Sequence, residues 1–237
     1  MLTLSRLNYN KNEIIRYRGG NIKMEKKSNL NEVVKIFLIF MIGSIIGYIV
    51  EMIVALVQEG HFESGQGLIY GPFTPVYGIG ILVYYIFFSF VKNRNKGIVF
   101  ISSMILGGIT EYLCSYVQEK VFGTISWDYS EWLFNINGRT TIVHCTYWGL
   151  AGLLYVSYIE PLIPKIENLV KSNKVKILTS SVAAFMVFNI TISSMAAIRQ
   201  KERVENIPAS SAVDVFLDNA YPDEFLDEVF ANKKCVD

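Results

Sequence analysis

The chain has 237 residues, of which 51% are hydrophobic, 14% aromatic and 18% charged, and its mean hydropathy is +0.33. Soluble domains carry roughly a quarter charged residues, so this composition excludes an ordinary soluble protein. The formal net charge of +1 offers no field for nucleic acid, and Cys114, Cys145 and Cys235 have neither metal-ligand nor redox spacing and no disulfide framework.

Residues 1–32 are polar and basic and lack an apolar period, which predicts a disordered cytoplasmic segment. Met24, followed by Glu25, Lys26 and Lys27, is a second plausible start. A secretory signal is excluded because the next apolar run is too long and has no small-residue cleavage site. Five apolar runs follow, at 33–57, 72–91, 98–117, 142–163 and 175–198. Each is close to the ~20 residues that a helix needs to cross hydrocarbon. The expected fold is therefore all-α, a polytopic membrane domain of about five transmembrane helices over residues 33–198. The fifth run is the weakest, because it holds Thr179, Ser180, Ser181, Asn189, Ser193 and Ser194. A surface-lying or re-entrant helix is the alternative there.

Lys and Arg in the loops set the orientation. Loop 58–71 has none, loop 92–97 has Lys92, Arg94 and Lys96, loop 118–141 has Lys120 and Arg139, and loop 164–174 has Lys165, Lys171 and Lys174. This places the N-terminus and the short loops inside and the two long loops outside. Five spans then put the tail, residues 199–237, outside, against the tendency of Arg199, Lys201 and Arg203. The tail is soluble, with short amphipathic turns on either side of Pro222.

The first and third runs repeat at an offset of sixty: Gly47 and Glu51 match Gly107 and Glu111, Val57-Gln58-Glu59 match Val117-Gln118-Glu119, and Phe62 matches Phe122. Gly71, Thr74 and Val76 align loosely with Gly138, Thr141 and Val143. Two duplicated helical hairpins are the implied organisation, entering the membrane in the same direction. In each copy, small residues four apart form a stripe (Gly43, Gly47 and Ala55; Ser103, Gly107 and Ser115) with a carboxyl set into it. At ~1.5 Å per residue both carboxyls lie about 22–24 Å from the inner boundary of the membrane.

A carboxyl at that depth is costly and faces the protein interior. Three readings compete for Glu51 and Glu111. They are structural groups hydrogen-bonded across a helix seam, or one of them pairs with Arg139, or both share a cation or proton. The outer loops add aromatic and polar groups. Tyr70, Phe73 and Tyr77 suit the headgroup level. Trp127, Asp128, Trp132, Asn135, Asn137 and Arg139 form either an aromatic anchor or a polar lid over the carboxyls. The substrate or ion site expected from the sequence is thus Glu51, Glu111, Arg139, Trp127, Asp128, Asn137, Tyr70 and Tyr77. No catalytic residue, metal site or cofactor is expected: His61 and His144 stand in no nucleophile or ligand pattern.

Gly47 with Glu51, the stretch from Gly67 through Tyr70-Gly71-Pro72-Phe73-Thr74-Pro75 to Gly78, Glu111, Trp127-Asp128-Tyr129, Phe134 to Arg139, and Trp148 together resemble one bacterial membrane family. It is the ABC-transporter type IV or CmpB family of permease-like proteins. Arg203, Ile207-Pro208-Ala209 and Pro222 to Phe225 in the tail also resemble it, and the likeness runs from about Ile36 to the end. Gln66 departs from the Arg that the family often carries before that glycine. The resemblance implies a cell-membrane transport component. It needs a separate ATPase, since no G-x-x-x-x-G-K-[ST] occurs in this chain. Loop 164–174 is the only internal element long enough for an ATPase to push on. The lipid bilayer and a second copy of the chain are the other partners expected. The alternative is a membrane scaffold whose outer loops and tail engage lipid or another membrane protein.

Overall fold

The computed structural model describes residues 13–18, 21–26, 29–61, 63–91 and 94–235, and the Phe62–Phe122 match and Lys92 lie partly or wholly outside them. In order, the elements are strands β1 (Glu13–Arg18) and β2 (Asn21–Lys26), then helices α1 (Asn29–Glu59), α2 (Pro75–Phe90) and α3 (Lys96–Phe122). Short strands β3 (Thr124–Ile125), β4 (Asn135–Ile136) and β5 (Thr140–Thr141) precede helix α4 (Ile142–Leu154). That helix continues through a π turn, Tyr155–Ile159, and a 3₁₀ turn, Glu160–Leu162, into α5 (Ile163–Leu169). Helix α6 (Asn173–Val204), α7 (Ala212–Ala220), α8 (Asp223–Val229) and strand β6 (Lys234–Cys235) complete the chain.

The segment expected to be disordered contains an antiparallel strand pair, with Ile15 opposite Met24 and Tyr17 opposite Ile22. Ile14, Ile15, Tyr17 and Ile22 have high β propensity, and a search for helical periodicity does not register them.

Among the described residues, four helical stretches are long and apolar enough to cross a membrane: Asn29–Val57, Lys96–Phe122, Ile142–Leu169 and Asn173–Val204. The second apolar run falls short. Its helix begins only at Pro75, with Thr74 extended, and has 16 residues. Sixteen residues rise about 24 Å, less than the roughly 30 Å of a bilayer core. Pro72 and Pro75 consume the start of the run, because proline is tolerated only in the first helical turn.

The run that looked weakest forms the longest helix, α6, with 32 residues. Its polar residues are turned inward. Asn189 is fully buried and Thr179 and Ser193 nearly so. Asn189 accepts the Tyr70 N–H at 3.1 Å and donates to the Tyr70 carbonyl at 2.6 Å, and Ser193 Oγ accepts the Ile69 N–H at 2.9 Å. Outward hydroxyls fold back on their own helix, Ser181 to the Ile177 carbonyl and Thr191 to the Val187 carbonyl. The non-helical stretch before α2 is thereby satisfied inside the bundle, as an apolar solvent requires.

Each antiparallel hairpin, α1 with α2 and α3 with α4, closes on its small-residue stripe. A Cβ on Gly43 would lie 2.9 Å from Gly78 Cα, one on Gly47 2.4 Å from the Tyr77 ring, and one on Gly107 2.2 Å from Trp148 Cβ. One end of the bundle carries Lys35, paired with Glu32 at 2.9 Å and Glu167 at 3.0 Å, and Arg94, paired with Glu160. At the opposite end the tail docks. Ile69, Ile192, Ala196, Leu217, Tyr221 and Leu226 form one apolar cluster there, and β6 pairs with β3.

The tail cations that opposed an outside placement are neutralised locally. Arg199 pairs with Glu202 and Asp218, both at 2.9 Å, and Arg203 with Asp218 at 2.6 Å and Asp223 at 2.5 Å. An i, i+4 pair of arginines facing acids across a turn is a clamp, and its charges are consumed within the protein.

Candidate functional site

Glu51 projects from α1 and accepts a hydrogen bond from the Tyr77 hydroxyl at 2.5 Å. Tyr77 is on the first turn of α2, directly over Gly47, so the missing side chain at Gly47 makes room for the ring that reaches the carboxyl one turn further on. Glu111 holds the matching place on α3. It is 7% exposed, accepts from Thr140 Oγ1 at 2.6 Å on one oxygen and from the Tyr129 hydroxyl at 3.4 Å on the other. Trp148 of α4 covers Gly107 as Tyr77 covers Gly47. The Tyr77 and Trp148 rings meet at 5.5 Å between centroids, joining the two halves, and Glu51, Tyr77, Tyr129 and Glu111 are close enough to interact electrostatically.

Among the described residues, the donors to both carboxyls are neutral, and no Lys or Arg is paired with either. Tyr129 lies outside the long helices. Burial first, and then the Glu111 and Glu51 carboxylates, push its phenol well up, so it stays a donor at any ordinary pH. It stacks on His144 at 3.8 Å, whose Nδ1 is 2.8 Å from Thr141 Oγ1.

Arg139 is not the counter-ion of either carboxyl. It reaches along the α3 stripe past Glu111, to Ser115 Oγ at 3.1 Å and to Glu119, and lies over the Tyr116 ring at 5.4 Å. The β4–β5 turn sets its direction, and Trp127 Nε1 fixes its backbone by donating to the Arg139 carbonyl at 2.8 Å.

Three other expected site residues build the loops and do not touch the carboxyls. Asp128 accepts from Ser130 Oγ at 2.6 Å and Ser130 N at 2.9 Å, bonds that hold its carboxyl below the usual range. Asn137, at φ 52°, donates to the Tyr112 hydroxyl at 2.9 Å. The Tyr70 hydroxyl is 2.8 Å from that of Tyr221 in the tail. Gln66, where the resemblance implied an Arg, gathers loop carbonyls: its Nε2 donates to Leu68, Ile69 and Gly71 at 3.2, 3.4 and 2.9 Å. A neutral amide closes that loop.

Beside Glu51 a crevice of about 80 Å³ is lined by Glu63, Ser64, Gly65 and Asn232, so the tail reaches the rim of the site. Arg199 and then Arg203 hold the Asp218 carboxyl below its ordinary value. A depressed carboxylate contributes stability above its unfolded value, about 3.9. That contribution is lost as pH falls through the lower folded value. The protection factors of the α7 amides, taken against intrinsic exchange at each pH, should therefore stay constant from roughly pH 5 to 8 and fall only below about pH 4. Release of the tail near neutral pH would show that the arginine clamp does not hold it.

The family model described as "Putative ABC-transporter type IV" matches residues 38–194. That range covers both hairpins, both carboxyls, the loops between them and most of α6. Searches of curated proteins and of solved structures give no match.

Proposed function

The chain belongs to the Putative ABC-transporter type IV family, and from this premise we propose that it is the permease-like component of a transport system driven by a separate ATPase. It is a multi-pass membrane protein by family and by its four long apolar helices. The short α2 is taken as a fifth crossing, since the chain runs from the tail end of the bundle at Pro75 to the Arg94 end at Phe90. Alternating directions then place the N-terminus, Arg94 and α5 in the cytoplasm. The tail and the two long loops lie outside, in the cell membrane's outer leaflet and beyond.

The observation that carries the reading is the pair of carboxyls inside the spans with hydroxyl donors and, among the described residues, no cation paired to them. A group so expensive is retained where it binds or passes something. Glu51 with Tyr77 and Glu111 with Thr140 and Tyr129 are proposed to share a cation or a proton. The matched placement of Tyr77 over Gly47 and Trp148 over Gly107 supports an origin of the two hairpins by duplication. No catalytic role is assigned.

An ATPase needs a cytoplasmic handle. Helix α5 buries Ile166, and Val170 beyond it, against Val34 and Ile39 of α1, while Lys165, Asn168, Leu169 and Lys171 are exposed. A push on that exposed face reaches α1, and hence Glu51, through the Lys35–Glu167 pair. Affinity purification in mild detergent should bring down an ATPase, and Leu169→Asp should reduce its recovery by tenfold or more. Recovery of the intact membrane protein without any ATPase would overturn the assignment.

A further inference from the structure

The turn between β3 and β5 is rigid yet presents its apolar residues outward. Tyr129 N donates to the Gly138 carbonyl at 2.7 Å, and Asn135 Nδ2 to the carbonyls of Ser130 at 3.1 Å and Trp132 at 2.9 Å. At its tip Phe134 has φ +57°, a left-handed conformation that a bulky residue adopts only when its surroundings enforce it. Leu133 and Phe134 are 83% and 76% exposed. A turn facing water has no reason to hold such side chains out on a constrained backbone.

Trp132 stands edge-on to His144 at 5.3 Å, wedging the turn away from α4. Between them runs a groove of about 620 Å³, lined by Trp132, Leu133, Phe134, Ile142 and Val143, with Glu131 as its one charged residue. The floor of the groove continues into the outward flank of α4. Tyr147, Leu150 and Leu154 are each more than half exposed there, at the three- and four-residue spacing of one helix face. That flank belongs to a span long and apolar enough to cross the membrane. Its cover is lipid, and the groove opens onto it without a polar break.

We propose that the Leu133–Phe134 tip of this turn is embedded in the membrane, with Glu131 left at the headgroup boundary, and that the groove between the turn and α4 holds a phospholipid acyl chain. The indole of Trp132 then sits at the headgroup boundary, where tryptophan partitions, and the segment that reads as an external loop forms part of the lipid-facing surface. The carboxyl site is not required for this assignment.

The test uses tryptophan fluorescence of the full chain in phosphatidylcholine vesicles, with plain or acyl-brominated lipid. The protein has three tryptophans, of which Trp148 is buried in the bundle. Brominated lipid should quench the wild type, Trp132→Phe should lose at least half of the quenched intensity, and Trp127→Phe should keep it. Aqueous iodide on plain vesicles should quench all three proteins alike and weakly. Equal bromine quenching in the wild type and Trp132→Phe would overturn the proposal, as it would if a second copy or another protein covered the turn. Strong iodide quenching that disappears in Trp132→Phe would overturn it too, by placing the turn in water.

Discussion

Gly107→Ala is expected to cost about 3 kcal/mol, the upper end of the range for overpacking a tight interior. The new Cβ would stand 2.2 Å from Trp148 Cβ and 2.3 Å from its Cγ. A β-carbon is fixed to its backbone, so no rotamer change relieves the clash and α3 and α4 must separate. Separation breaks the Tyr84 hydroxyl's 2.8 Å bond to the Trp148 carbonyl and opens the aromatic cluster of Tyr84, Phe88, Trp148 and Tyr155. For a chain of this size the loss corresponds to a fall in Tm of roughly 6–12 °C, read by thermal unfolding in detergent. Gly152→Ala makes the same test from the other helix, because its Cβ would fall 1.8 Å from Ser103 Oγ. Adding Ser103→Gly to Gly152→Ala should restore most of the lost stability. Gly97→Ala, whose nearest neighbour is the Asn95 side-chain oxygen at 3.3 Å, should change Tm by less than about 2 °C. Equal, small shifts for Gly97, Gly107 and Gly152 would mean that the helices are not in close contact.

The stripe that makes these effects large was readable from the sequence, since small residues four apart in an apolar run have one explanation in lipid. The partner of the stripe was not. Each stripe faces the second helix of its own hairpin, and that depends on how α2 and α4 rotate, which spacing along one helix does not reveal. Arg139 shows the same limit. It precedes β5 and the start of α4, but the β4–β5 turn and the Trp127 bond swing it toward Glu119, and loop direction has no periodic signal. The tail arginines resemble an inside signal in the sequence, but their charges are spent on Asp218 and Asp223 across a turn. Asn189 and Ser193 are four apart in an apolar helix and could have been read as an inward polar stripe. Counting them as polar residues hid the fact that they share one face. Thr140 and Tyr129, which complete the Glu111 site, come from short loop segments; Tyr129 falls in a stretch that carries the family resemblance, but no periodicity directs either side chain to the carboxyl.

Glu51 and Glu111 should behave as one unit when replaced by glutamine, singly and together. Glutamine keeps the shape and can still accept from Tyr77 or Thr140, but it cannot share a proton and binds a cation poorly. If the carboxyls act jointly, the double variant's loss of stability will differ from the sum of the singles by ~0.5–3 kcal/mol, as for residues in one network. Tyr77→Phe should couple to the Glu51 change, since it removes a hydrogen bond to that carboxyl, worth roughly 0.5–1.5 kcal/mol to a neutral acceptor and more to an ionised one, and keeps the ring against Trp148. Arg139→Gln should be additive with both, because its partners are Ser115 and Glu119. Thermal unfolding of these variants in detergent, with and without added monovalent and divalent cations, separates the two forms of sharing. A bound cation raises the wild-type Tm with concentration and has no effect on the double variant, whereas a shared proton leaves the coupling intact without added ions. Additive losses for Glu51→Gln and Glu111→Gln, within ~0.3–0.5 kcal/mol, would leave two separate seam contacts and remove the shared site from the transport reading.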